Sequence, residues 1–86
     1  MSLIHEAKDS LGKEVSVGAR VCLLFAPREL IEGLPESDQT AIQEAVGTRL
    51  VVEEFDQHGH AELMFKDARG TIHFIWVVPA ALEVLP

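Results

Sequence analysis

The stretch from Thr71 to Leu82, TIHFIWVVPAAL, constrains this chain most, because it reads as a buried strand that carries its own stop signal. Alternate side chains of an extended segment share a face, so Ile72, Phe74, Trp76 and Val78 line one side of it. Pro79 then ends the strand, since proline has no amide hydrogen to give to a ladder. A strand this apolar needs sheet partners, and the residues before it supply them.

Thr48 to Phe55 and His60 to Lys66 are the expected partners, with Asp56-Gln57-His58-Gly59 and Asp67-Ala68-Arg69-Gly70 as the connecting turns. Both turns are made of residues that tolerate turn geometry. A four-residue second turn places Lys66 opposite Thr71, so that Phe65 faces Ile72, Leu63 faces Phe74 and Ala61 faces Trp76. Leu50 and Val52 join that face by parity, and it is the predicted core. Glu54 shares the parity, at a strand end where the rim lets its carboxylate reach water. The opposite face then carries Val51, Phe55, Met64, Ile75 and Val77 among Glu53, His60, Glu62, Lys66, Thr71 and His73. That is too apolar for a wholly solvated sheet face, so it needs a cover.

The rest of the chain frames this meander. Residues 1–12 show no period and read as an N-terminal arm, leaving 13–86 as the folded domain. From Val15 to Phe25 the odd positions are apolar, which predicts a first strand bent at Gly18. Arg28 to Gly33 reads as a short turn. Pro35 to Val46 reads as a helix: Pro35 suits a first helical position, Glu36 and Asp38 favour the positive end of the dipole, and Gly47 suits the cap. Its stripe of Ala41, Ile42, Ala45 and Val46 is one candidate cover for the outer face, helped by Leu3 and Ile4; a second copy or another protein is the other. After Pro79 a compact turn leads to a short last strand, Glu83 to Leu85.

This order of strand, helix-bearing loop, meander, tight turn and last strand resembles the SH3-like small barrel. The resemblance covers about residues 14–85 and is carried by the meander and by WVVPAALEVL, which is similar to the proline, 3-10 turn and last strand that close such barrels. Val17-Gly18-Ala19-Arg20-Val21 and Val46-Gly47-Thr48 also resemble the glycine-initiated strands of KOW-type barrels. The fold it implies is mostly β, a five-stranded SH3-like barrel with one α-helix inserted between strands 1 and 2. Recognition of proline-rich peptides does not carry over, because that needs an aromatic-lined groove and this chain has no tyrosine.

Charge and composition narrow the function. Seven basic against fourteen acidic residues give a net charge of -7, and the basic ones are scattered, so neither nucleic acid nor an anionic membrane is an expected partner. The single cysteine, Cys22, allows no intrachain disulfide and lies mid-strand as a small hydrophobe, which fits a reducing, cytoplasmic setting. The N-terminal MSLIHEAKDSLGKEV lacks the basic start and apolar core of an export signal, and no apolar run approaches a membrane span. No catalytic motif or phosphate loop is present.

Of the four histidines, His5, His58, His60 and His73, the last three can be drawn as a metal site, yet turn and surface roles explain them as well. The reading that follows is a small, non-catalytic protein-interaction or regulatory module with no cofactor, binding another protein or itself as a homodimer. Its candidate partner surface is Phe55, Met64, His73, Ile75 and Trp76, the last as a ring half exposed at a groove. The alternative is a metal- or ligand-binding accessory protein using His58, His60 and His73.

Overall fold

A computed structural model describes residues 7–86. Strand β1 (Arg20–Leu23) leads through helices α1 (Arg28–Ile31) and α2 (Glu36–Ala45) to the meander of β2 (Arg49–Phe55), β3 (Ala61–Lys66) and β4 (Ile72–Val77). A 3-10 turn over Pro79–Ala81 precedes β5 (Leu82–Val84). The strands form one antiparallel sheet in the order β4-β3-β2-β1-β5. No ladder joins β4 to β5, so the sheet is not closed. The fold is thus mostly β with the longer helix between the first two strands, and the stretch expected as a turn after β1 holds a further helical turn, α1.

The first strand is shorter than the alternation predicts. At Gly18 the backbone takes φ 87°, a conformation cheap only without a Cβ, and the Ala19 amide donates to the Ser16 carbonyl. The chain turns there, so Val15, Val21 and Leu23 are buried while Val17 and Phe25 reach solvent. Ahead of the turn, Ala7 to Val15 doubles back as a hairpin in which Lys8 pairs with Glu14. The expected boundary between 12 and 13 falls inside this hairpin. The suggested docking of Leu3 and Ile4, and the candidate His5, lie outside the described residues.

Helix α2 behaves as its spacing predicts, with Pro35 ahead of it, Glu36 and Asp38 in the first turn, and Ala41, Ile42 and Ala45 buried. Those three join one core with Val21, Leu23, Leu50, Val52, Leu63, Ile75, Val77 and Leu82. Burying each Val or Leu here contributes roughly 1.5–3 kcal/mol. The helix stripe therefore covers the inner face of the sheet, not the outer face it was offered for.

Three turns share one construction. In Asp9-Ser10-Leu11-Gly12-Lys13, Asp56-Gln57-His58-Gly59-His60 and Asp67-Ala68-Arg69-Gly70-Thr71, the aspartate amide donates to the carbonyl four residues on, at 2.8, 3.0 and 2.9 Å. The carboxylate Oδ1 accepts from the amides two and four residues on, at 2.8–2.9 Å. The glycine amide donates back to the aspartate carbonyl, and each glycine has a positive φ near 83°.

This five-residue turn corrects the predicted register. Asp67 pairs with Thr71, so Lys66 lies opposite Ile72, Phe65 opposite His73, Leu63 opposite Ile75 and Ala61 opposite Val77. One residue of slip moves a whole strand's side chains to the other face. In β3 the expected sides hold; in β4 they exchange, so Ile75 and Val77 are 5% and 1% exposed while Ile72, Phe74 and Trp76 turn outward.

Candidate functional site

The exchange leaves an apolar row on the surface. Ile72, Phe74 and Trp76 are 52%, 61% and 40% exposed, and they stand beside Lys66, Met64 and Glu62 of β3 respectively. Strand β4 carries no Lys, Arg, Asp or Glu and is the last strand on its side of the sheet. Helix α1 comes near it, where Pro27, Leu30 and His60 border a shallow hollow with Trp76. Trp76, expected on the core face and also named as a ring half exposed at a groove, is turned outward at this hollow.

The other predicted contact residues divide. Met64 is half-buried on the outer face, between Glu62 and Lys66. Ile75 lies in the core, for the reason of register given above. Phe55 also turns inward: the β2–β3 register shifts between Val52 and Glu54, which sets Phe55 opposite Ala61 and packs its ring against the core. A bulge of this kind adds one residue to one strand and reverses the parity beyond it. The same bulge turns Glu54 outward, across from Glu62, where it is exposed.

His73 lies inward at the open end of the sheet. Its ring stacks on Phe65 with centroids 5.1 Å apart at 16°, and its Nε2 lies 2.9 Å from Asp67 Oδ2. His60 makes the matching contact at the other hairpin, Nδ1 to Asp56 Oδ2 at 3.0 Å, while His58 is exposed beside it. His60 and His73 thus each brace the aspartate of their own turn, while the His58 ring meets Gln57 Nε2 at 3.4 Å. Among the described residues no three His, Cys, Asp or Glu side chains converge to hold a metal ion.

The electrostatics of the turns follow from their hydrogen bonds. The bond with His73, then the Thr71 amide, holds the Asp67 carboxyl below the usual aspartate value against the pull of burial. At Asp56 burial pushes upward, and the His60 and His58 amides with the His60 ring outweigh it. At Asp9 the Val84 amide leads in lowering the value; burial opposes it, and the Lys13 and Leu11 amides add to the lowering. Asp9 is the one buried charged residue among those described, 5% exposed, and its Oδ2 lies 2.8 Å from the Val84 nitrogen.

A cleft opens between α2 and the β2–β3 pair. Ala41, Ala45, Leu50 and Phe65 form its floor, and Arg49 and Lys66 stand at its wall. Among the described residues no buried side-chain nitrogen or oxygen lacks a partner, so nothing polar is aimed into it unsatisfied. Cys22 is half-buried in β1, opposite Arg49 and Glu83, and among the described residues no histidine is paired to it.

Sequence reasoning missed Ile72 and Phe74 as surface residues and missed Asp9 altogether. The signal that finds both is the recurrence of Asp-x-x-Gly at 9, 56 and 67, which marks a five-residue turn and its register. None of the described helices is long and apolar enough to cross a membrane. No family model, characterised protein or solved structure matches this chain, so the site stands on its own residues.

Proposed function

We propose that this protein is a small, non-catalytic interaction or regulatory module that docks another protein chain through the outer face of β3 and β4. The observation that carries the reading is the uncovered row of Ile72, Phe74 and Trp76 on an uncharged edge strand. Apolar patches of this size on a small soluble domain are commonly binding surfaces, and Trp and Phe are frequent interface anchors.

The strand order and the 3-10 turn ahead of the last strand support reading the sheet as SH3-like, while the helix in the first loop departs from that pattern. The free thiol of Cys22 fits a reducing, cytoplasmic setting, and the net charge of -7 argues against nucleic acid. A photo-reactive amino acid in place of Phe74 tests the docking face in the native cell, with the same substitution at Leu11, equally open to solvent, as control. Protein adducts at position 74 in excess of those at position 11 are expected. Equal labelling at the two positions defeats the reading.

A further inference from the structure

We infer that the partner for this face is a second copy of the chain, packed face to face about a two-fold axis that crosses the Met64–Phe74 pair. The inference rests on the docking reading above and adds the identity of the occupant. A two-fold interface requires a patch complementary to itself, so that residue i meets j and j meets i.

The outer face has that property. Glu62 beside Trp76 and Lys66 beside Ile72 flank the central Met64–Phe74 pair, each two residues away along the strands. Rotation about an axis across the strands at that centre lays Phe74 on its own copy, Trp76 on Ile72, and Lys66 on Glu62. The two charged ends, about 13 Å apart at the strand rise, thus meet their opposites twice.

The surrounding charges repeat the pattern. At one end Glu54 stands directly across from Glu62, a like-charge pair that costs stability when left without a cation. At the other end Arg49, exposed like Lys66, borders the same cleft, which Glu44 and Asp67 also line.

Pairing β4 edge to edge does not use this arrangement. It leaves Lys66 and the copy's Glu62 three strand spacings apart, about 14 Å, whereas stacked sheets lie about 10 Å apart with side chains meeting between them. The face of two six-residue strands offers on the order of 500 Å² per copy. That is the low end for a specific interface, so the expected dimer is a reversible one with a dissociation constant on the order of micromolar or weaker.

Sedimentation equilibrium from about 1 μM to 1 mM tests this on the wild-type chain, Phe74→Asp, Lys66→Glu, Glu62→Lys and an equimolar mixture of the last two, with circular dichroism to show that each folds. The wild type dimerises, Phe74→Asp stays monomeric, and each charge reversal weakens association about tenfold. The mixture regains it, because the acid placed at position 66 of one chain then meets the base placed at position 62 of the other. A wild type that stays monomeric overturns the inference, as does a dimer indifferent to Phe74→Asp or a mixture no tighter than its parts. If the chain is monomeric yet position 74 crosslinks to a different protein, the docking reading stands and the second copy alone is lost.

Discussion

Strands β4 and β5 both lie at an edge of the same sheet, yet the chain treats them in opposite ways. Beyond β5, the Ser10 amide donates to the Leu82 carbonyl at 2.9 Å and the Asp9 carboxylate accepts from the Val84 amide at 2.8 Å. That edge is three residues long and is occupied by the 7–15 hairpin. Strand β4 runs six residues, has no strand beyond it among the described residues, and presents Ile72, Phe74 and Trp76 to solvent. An exposed, long, uncharged edge invites pairing and aggregation, and proteins usually blunt it with charge, proline or a cover. Blunting one edge with the chain's own arm and leaving the other apolar separates a closed edge from the one proposed to dock.

Truncation of one apolar side chain on each edge breaks the comparison most sharply. Leu82→Ala on β5, fully buried, costs about 2–5 kcal/mol in denaturant unfolding, while Phe74→Ala on β4 stays within about 0.5 kcal/mol for the monomer. Equal losses mean that β4 is covered. The turns come next: Gly70→Ala forces a residue with a Cβ into φ near 83° and costs roughly 1–2 kcal/mol, and Gly12→Ala costs the same if the two hairpins are one device. Thermal unfolding of the pair checks this, and a large inequality shows that the shared geometry hides different loads.

The smallest effect is local and depends on pH. Because the folded Asp9 carboxyl lies below its unfolded value, its stabilisation is complete above about pH 4 and is lost as pH falls through the folded value. Hydrogen exchange at the Val84 amide should therefore speed up on acidification ahead of the amides of β3. Asp9→Asn should show the faster exchange already at neutral pH. Unchanged protection of Val84 in that variant would show that the hairpin is held by other contacts.

How much of this was legible in the sequence depended on whether a local pattern had one solution. Helix α2 and the bounds of β2, β3 and β4 were legible to within a residue or so, since spacing, turn residues and Pro79 all agree. The face of β4 was not, because its residues are apolar on both parities: Ile72, Phe74 and Trp76 on one side, Ile75 and Val77 on the other. Hydrophobicity cannot choose between two such sides, so the choice fell to the turn, and a turn of five residues instead of four reversed it. Of the five residues proposed for the partner surface, Met64 stays outward and Trp76 turns outward from the expected core face, while Phe55, His73 and Ile75 turn inward through the β2 bulge and the shifted register.

By itself, then, the sequence determined α2, the strands of the meander, their order and the acidic balance, because these follow from short-range periodicity, capping and composition. Only the tertiary structure decided which side of β4 meets water, that α2 lies on the inner face, and that Asp9 reaches Val84 seventy-five residues away. Those outcomes turn on single-residue register and on contacts between distant segments, which hydrophobic periodicity within a window of neighbouring residues does not encode.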